Sequence, residues 1–172
     1  NESGNSNEAS AEIVDVSTFR VEAEDYDNYN DTTTGNSGGE YRNDDVDIET
    51  SSQGGYNVGW IAEGEWLEFT NVTGNGSSYR VTLSVAALDQ TGAFHIEVNG
   101  VDATGLITFP PTGGYQTWTT VDAGTVALNN GSNTIRLVME AGGWNVDYLD
   151  FNVEPQEPGI IDLDNYTLAS YA

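Results

Sequence analysis

Short runs in which hydrophobic and polar residues alternate are found along most of the chain. The clearest covers residues 79–88, where Tyr79, Val81 and Leu83 alternate with polar side chains, and residues 94–98 repeat the pattern. A period of two places successive side chains on opposite faces of a β-strand. Further strand-like runs occur at residues 19–24, 46–49, 57–61, 66–72, 117–121, 125–128, 134–139 and 147–153. No window shows the 3.6-residue period of a helix.

Turn residues separate these runs. Asn99 and Gly100 follow the strand-like run 94–98 and form the strongest hairpin signal in the chain. Eight or more short strands with turns between them predict an all-β fold, an antiparallel β-sandwich of the jelly-roll type. Because closing such a sandwich brings the first and last strands together, the runs at 19–24 and 147–153 are expected to be neighbours.

The two ends of the chain differ from its middle. Residues 1–12 are almost entirely polar and predict a disordered linker or tail. Residues 155–172 begin with an acidic, proline-containing linker and continue into a tail. The sandwich domain is therefore expected to cover residues 13–154. Linker-like ends on both sides indicate a module cut from a larger chain.

Charge and composition exclude several classes of partner. The 172 residues include 28 acids, four arginines and no lysine, for a net charge of −24. Such a chain repels phosphate backbones, so no nucleic acid partner is expected. No run of 18 apolar residues is present, so no membrane partner is expected either. Cysteine is absent. A secreted protein without disulfides is often stabilised by bound calcium instead.

Two carboxylates near the start of the domain suggest where calcium would bind. Glu22 and Glu24 lie two residues apart, which puts them on one face of a strand with roughly 7 Å between them. A hard cation relieves their repulsion, and calcium takes six to eight oxygen ligands. The last strand adds an acid, Asp147 or Asp150, and the loop at 35–46 adds backbone carbonyls. The alternative is a pair of solvated glutamates.

Aromatic residues are more numerous than a core requires, with four Trp, nine Tyr and five Phe. Tyr41, Trp60, Tyr115 and Trp144 each lie beside glycine or polar residues, in or near the expected loops. Flat aromatic rings stack on the apolar C–H faces of sugars, whose hydroxyl groups then need fixed polar partners. Asn145, directly after Trp144, is suited to that role. These residues therefore predict a sugar-binding surface.

The sequence around an aromatic residue predicts whether its side chain is exposed. A Gly-Gly pair precedes both Tyr115 and Trp144, which favours exposure in a loop. Trp66 and Trp118 lie inside apolar strand patterns and are expected in the core.

Catalysis is the less favoured interpretation of the same residues. Glycosidases use two carboxylates at a set separation, but with 28 acids no particular pair is informative. His95 lies in an alternating strand, and no nucleophile or metalloprotease motif is present. A small acid-catalysed glycosidase and a calcium-bound structural or adhesive domain remain as alternatives to a binding module.

Five motifs occur in an order that resembles a known family. They are V-E-A-E-D-Y at 21–26, N-V-G-W-I at 57–61, G-E-W-L-E-F at 64–69, G-G-Y-Q-T-W at 113–118 and N-V-D-Y-L-D-F at 145–151. Together they resemble a family 6 carbohydrate-binding module (CBM6) over residues 19–153, with family 35 modules as the near alternative. The resemblance implies a jelly-roll β-sandwich, a structural calcium ion, no catalysis, and attachment to a secreted polysaccharide hydrolase.

The resemblance also assigns residues to the sugar site. Trp60 and Tyr115 match the two aromatic residues that clamp a sugar in the family, and Asn145 matches the asparagine that hydrogen-bonds it. Family members usually have Trp where this chain has Tyr115, a departure that retunes stacking. Trp144 is expected to add a further platform.

For calcium, the resemblance implies Glu22 and Glu24 together with one acid of the last strand. The family pattern favours Asp147, whereas inward-facing Leu149 and Phe151 would favour Asp150, so both remain candidates.

The segment at 38–49 is longer than in many members of the family and is similar to modules attached to agar-degrading enzymes. With the acid-rich, lysine-free composition it favours a marine galactan such as agarose, with Tyr41 or Asn43 lining the site. Xylan and β-glucan are the alternative ligands. We expect the isolated module to be a secreted, extracellular monomer.

Overall fold

Two six-stranded antiparallel sheets face each other across one hydrophobic core in the computed structural model, which describes residues 18–153. The expected tail at 1–12, the linker at 155–172 and both ends of the proposed 13–154 domain lie outside the described residues. The predicted all-β antiparallel sandwich is confirmed.

Twelve strands and one 3-10 turn make up this part of the chain. In chain order they are β1 (Phe19–Glu22), the 3-10 turn (Ala23–Asp25), β2 (Asn28–Asn30), β3 (Ile48–Thr50), β4 (Tyr56–Val58), β5 (Trp66–Asn75), β6 (Ser78–Ala87), β7 (Gly92–Val98), β8 (Val101–Asp102), β9 (Ile107–Phe109), β10 (Gly114–Ala127), β11 (Asn130–Met139) and β12 (Trp144–Val153). A three-residue 3-10 turn is far too short to cross a lipid bilayer, and no helix in residues 18–153 is long and apolar enough to do so.

The first sheet has the strand order β10-β6-β12-β4-β3, and β1 also pairs with β12. The second sheet has the order β2-β5-β11-β7-β8, with β9 also pairing with β7. The predicted pairing of the first and last strands is confirmed, since Phe19 lies opposite Phe151 and Glu22 lies opposite Tyr148. The predicted hairpin is present as well, with Asn99 and Gly100 at φ 51° and 80° between β7 and β8.

Alternation along the long strands builds the core. Val81, Leu83 and Val85 of β6 are fully buried, and so are Ile135 and Leu137 of β11 in the opposite sheet. Burying such a side chain stabilises the fold by roughly 1.5–3 kcal/mol relative to its exposure. The core thus lies between the central strands of the two sheets.

Some element boundaries differ from the expected ones. One continuous strand, β10, replaces the two strands predicted at 117–121 and 125–128, because a bulge between Asp122 and Gly124 accommodates the glycine without ending the pairing. Strands β2, β8 and β9 were not predicted. Each has only two or three residues, too few to show a period.

The prediction that Trp66 and Trp118 lie in the core is wrong. Both are half-buried on the outside of the sheets. The Arg136 guanidinium covers the Trp66 ring at 4.4 Å from its centroid, and the Trp118 indole donates a hydrogen bond of 2.9 Å to the Ser52 hydroxyl. Each indole therefore has a polar partner on the outer face of its sheet.

Candidate functional site

A cleft of about 480 Å³ lies next to the start of β12. Its lining is Glu49, Trp60, Ile61, Tyr115, Gly143, Trp144 and Asn145. The cleft therefore collects residues from β3, β10, β12 and the loop that follows β4, which are far apart in the sequence. Trp60, Tyr115 and Asn145, predicted from their motifs, are brought together here.

Two exposed aromatic rings supply the apolar surface of the cleft. The Trp60 residue is 52% exposed and the Tyr115 residue 43%. Trp60 has φ 49°, in the left-handed region that bulky residues rarely adopt. Conformational strain of this kind is found where function requires a particular side-chain position. Both rings are available for stacking on the C–H face of a sugar.

Below the rings, a network of amide groups surrounds one carboxylate. The Asn145 side-chain amide donates to Glu49 Oε1 and to the Tyr115 carbonyl, both at 2.9 Å. The Gln116 side-chain amide donates to the same Glu49 oxygen at 2.8 Å and to Asn57 Oδ1 at 2.9 Å. These bonds fix the orientation of Asn145 and Glu49 before a ligand arrives, which lowers the entropy cost of binding.

The network leaves two acceptor atoms without a donor. Within the described residues, neither Asn145 Oδ1 nor Glu49 Oε2 takes part in a hydrogen bond. Asn145 Oδ1 lies next to Gly59, where an added Cβ would come within 3.0 Å of it. A glycine at this position thus keeps the space beside the acceptor open. Both acceptors suit sugar hydroxyl groups, which donate hydrogen bonds.

Trp144 does not form an exposed platform, and that expectation is wrong. Its exposed fraction is 0%, and its ring lies 5.8 Å from the Phe94 ring and 5.4 Å from the Phe109 ring, measured between centroids. Its indole donates to the Ala141 carbonyl at 2.6 Å. The Gly-Gly pair makes the turn, but β12 starts at once and directs Trp144 into the core beneath the cleft.

Tyr41 is exposed but does not line the cleft. It is 51% exposed, its hydroxyl donates to the Asp25 carboxylate, and its ring lies 4.9 Å from the Tyr56 ring. Asn43 is not among the lining residues either. Neither of these two side chains therefore brings the segment at 38–49 into the cleft. Glu49, at the end of that segment, does line the cleft.

The two glutamates proposed for calcium do not share a strand face. Strand β1 ends at Glu22, and Glu24 belongs to the 3-10 turn. The strand alternation that predicted both side chains on one face therefore does not extend to Glu24. Glu24 is buried, and its Oε2 has no hydrogen-bond partner within the described part of the chain. Burial raises the pKa of Glu24 to about 7, and the nearby charge of Glu22 contributes to the shift.

Asp147 and Asp150 have different surroundings. Asp147 is buried and accepts a hydrogen bond of 3.2 Å from the Ser51 hydroxyl, and burial raises its pKa to about 6. Asp150 forms an ion pair with Arg20 at 2.7 and 2.8 Å. The register shift between Val146 and Tyr148 is a bulge that interrupts alternation at Asp147. Because Arg20 already offsets the charge of Asp150, Asp147 is the more suitable of the two candidate calcium ligands.

The donor chemistry of Glu22, Glu24 and Asp147 fits calcium, which prefers carboxylate oxygens. The unpartnered Oε2 of Glu24 is a buried atom that a cation would satisfy. Even so, no three acidic or histidine side chains in residues 18–153 converge closely enough to enclose an ion. The buried acids supply ligands of the right kind, but their side chains do not form a closed coordination shell.

Comparison with known proteins assigns the family. A model described as carbohydrate binding module (family 6) matches residues 22–153. The chain belongs to carbohydrate-binding module family 6. It is accordingly a non-catalytic binding module, as the motifs implied.

Solved structures of CBM6 modules are similar to this chain. The C-terminal CBM6 of LamC, a marine laminarinase from Zobellia galactanivorans, is 30% identical with a TM-score of 0.66, covering 79% of this chain and 99% of that one. The module CBM6cm-2 from Cellvibrio mixtus lichenase 5A, solved with cellotriose, is 33% identical with a TM-score of 0.62, covering 80% and 98%.

A curated relative is the clotting factor G alpha subunit of Tachypleus tridentatus, 28% identical over 119 residues. The match covers 67% of this chain and only 18% of that protein, so the chain spans less than a fifth of the relative's length.

Two residues of the polar network at the CBM6 cleft, Gln116 and Glu49, were missed in the sequence. Gln116 directly follows Tyr115 in the G-G-Y-Q-T-W motif, which was the available signal. Glu49 ends an alternating run of four residues, where it resembles any solvated strand residue. Only the proximity of β3 to β12 shows that its carboxylate meets the Asn145 amide.

We predict that Trp60→Gly unfolds at higher denaturant concentration than Trp60→Ala. Both variants lose the ring, but only glycine adopts φ 49° without a steric penalty. The expected difference is about 1 kcal/mol in the free energy of unfolding, measured by urea titration. Equal stabilities would show that the backbone at Trp60 is unstrained.

We predict that Trp144→Ala destabilises the module by about 3–5 kcal/mol, because it leaves a cavity in the core. The same substitution at exposed Trp60 is the control and should cost less than about 1 kcal/mol. Urea unfolding followed by circular dichroism measures both. A small effect at Trp144 would contradict its buried position.

Proposed function

We propose that this CBM6 module binds a polysaccharide in the cleft between Trp60 and Tyr115 and holds an attached hydrolase on its substrate. The observation that carries the proposal is that two exposed rings lie beside a hydrogen-bonded polar network. This network, formed by Asn145, Gln116 and Glu49, is called the floor of the cleft. The rings stack on the sugar, and Asn145 Oδ1 and Glu49 Oε2 accept hydrogen bonds from its hydroxyl groups. The module breaks no covalent bond of the sugar. Its affinity for the polysaccharide depends on the stacking contacts and hydrogen bonds.

The parent enzymes of related modules support a role in targeting a hydrolase to its polysaccharide. The two bacterial CBM6 modules come from a laminarinase and a lichenase, both polysaccharide hydrolases. We therefore infer a secreted parent enzyme in which this module is covalently linked to a catalytic module. Binding then raises the effective concentration of that enzyme at the polysaccharide surface without a new contact at its active site.

For the ligand, we propose agarose or another marine galactan. The long segment at 38–49 and the acid-rich, lysine-free composition support this choice, and we propose an agarase as the parent enzyme. A β-glucan is the second candidate, favoured by the relatedness to the module of a marine laminarinase and to a module solved with cellotriose. Xylan is a third ligand to test within the same family.

Calorimetric titration with oligosaccharides from agarose, laminarin and xylan tests the site and the ligand together. Trp60→Ala and Tyr115→Ala should each weaken binding by about 30-fold, since a buried aromatic contact contributes roughly 2 kcal/mol. Tyr41→Ala is the matched control, because Tyr41 is similarly exposed but outside the cleft. Retained affinity in both cleft variants would show that sugar binds elsewhere. Release of reducing sugar from any of the polysaccharides would instead favour a glycosidase.

We also propose that calcium binds among Glu22, Glu24 and Asp147 and stabilises the fold. The buried, unpartnered Glu24 Oε2 and the buried Asp147 support this proposal. When bound, the ion would supply positive charge that offsets the repulsion of the three carboxylates. Its role would be structural, since none of the three residues lines the cleft.

We predict that a chelator lowers the melting temperature by roughly 5–10 °C at pH 8, as expected when calcium is near 100 times its Kd. The pKa values of about 7 for Glu24 and about 6 for Asp147 are raised above their unfolded values. Without calcium, the contribution of these two carboxyl groups to stability is therefore fully present below about pH 4, near their unfolded pKa values, and is lost as the pH rises through 6 and 7.

The calcium effect should consequently be large at pH 8 and small at pH 5, where protonated carboxyl groups bind calcium poorly. Glu24→Gln should abolish the calcium effect at both pH values, whereas Glu40→Gln, an exposed control, should retain it. Identical melting curves with and without chelator at pH 8 would contradict the calcium site.

A further inference from the structure

No arginine or histidine of residues 18–153 lines the cleft. All four arginines and the single histidine of the chain lie in the described residues, and none lines the cleft. They contact other groups: Arg20 pairs with Asp150, Arg80 with Asp122, Arg136 with Glu68, His95 with Glu140, and Arg42 lies over the Tyr26 ring. An anionic ligand in the cleft would find no cation to pair with.

The amide donors of the floor are already committed to protein acceptors. Asn145 Nδ2 has two N–H groups, and both donate within the network. The same holds for Gln116 Nε2. The indole N–H of Trp60 and the hydroxyl of Tyr115 make no hydrogen bond within residues 18–153, but both are neutral donors at the exposed rim. An anion therefore has no charged donor and no free amide donor on the floor.

Among the residues of 18–153 that line the cleft, Glu49 is the only one with a charged side chain. Its Oε1 accepts from Gln116, Asn145 and, at 3.5 Å, Asn57, while its Oε2 has no partner in the described residues. Amide dipoles support this negative charge without neutralising it. A sulfate ester or carboxylate on a sugar in the cleft would come within a few ångströms of Glu49. At that distance and in a partly desolvated site, like charges repel strongly.

We propose that Glu49 makes this cleft selective for uncharged sugars, by accepting hydrogen bonds from hydroxyl groups and repelling anionic substituents. This inference rests on the proposed function, because it specifies the ligand of the same cleft. The selectivity uses an unfavourable contact with the wrong ligand as well as a favourable one with the right ligand. Sulfated and uronate-bearing chains are excluded by the same chemistry.

The test is calorimetric titration of the full chain with a neutral oligosaccharide that binds, chosen from the agarose, laminarin and xylan series, and with the sulfated derivative of that same oligosaccharide. At low salt the sulfated form should bind at least about tenfold more weakly. Raising the salt from about 0.01 M to about 1 M shortens the screening length from about 30 Å to about 3 Å. The tenfold ratio should shrink accordingly, while the affinity for the neutral form changes little.

Glu49→Gln removes the charge and keeps the size of the side chain. It should weaken the neutral ligand by several-fold and bring the two ligands to within about threefold of each other. Asp102→Asn is the matched control, because Asp102 is exposed on β8 of the other sheet and asparagine retains its acceptor oxygen. This control should keep the tenfold ratio.

Three results would contradict the proposal: equal affinity for the two ligands in the native chain, a ratio that is insensitive to salt, or an unchanged ratio in Glu49→Gln. The salt series needs no variant and decides the matter even if Glu49→Gln fails to fold. If no neutral oligosaccharide of the three series binds at all, the proposed function itself fails. That outcome is distinct from a failure of selectivity.

Discussion

The bulge in β12 is the constraint on which both candidate sites depend. Four successive residues of this strand, Trp144 to Asp147, are buried, which a regular strand with alternating faces does not allow when one face is solvated. The register shift between Val146 and Tyr148 makes it possible. Trp144 enters the core, Asn145 reaches the cleft floor, and Asp147 enters an acidic interior. One irregularity in the first sheet thus positions the amide that lines the cleft and the buried acid two residues apart.

The cleft is organised around a carboxylate that the surrounding amides hold in place. No cationic side chain pairs with Glu49 within residues 18–153, and its charge is stabilised by hydrogen bonds from Asn145 and Gln116. A buried network is favourable only when its members are satisfied, and here the remaining lone pairs face the cleft. The cost of partial desolvation is met within the fold before binding. The backbone strain at Trp60 is likewise carried by the free protein. Recognition therefore requires little rearrangement, which is the physical basis of a preformed sugar surface.

Much of this arrangement can be predicted from the sequence, and the failures have identifiable causes. A period of two predicts the long strands because their burial alternates, and the motifs predict Trp60, Tyr115 and Asn145. The Gly-Gly pair before Trp144 does indicate a turn, but a turn does not determine the direction of the next side chain. Glu49 becomes recognisable only when β3 and β12 are adjacent, since its partners are 67 and 96 residues away. A bulge is likewise invisible to periodicity, which assumes that alternation continues.

The acidity of the whole chain and the charge of Glu49 act over different distances. Most of the 28 acids are spread over the sequence and contribute a field that falls off within about 10 Å at 0.1 M salt. A distant surface charge therefore does little to a ligand at physiological ionic strength. Glu49 is half-buried and lines the cleft itself, where separations are shorter than the screening length and fewer water molecules intervene. Selectivity against anionic sugars consequently depends on where one carboxylate lies and not on how many the chain contains. A related module with the same net charge but a neutral residue at this position would repel anions only weakly.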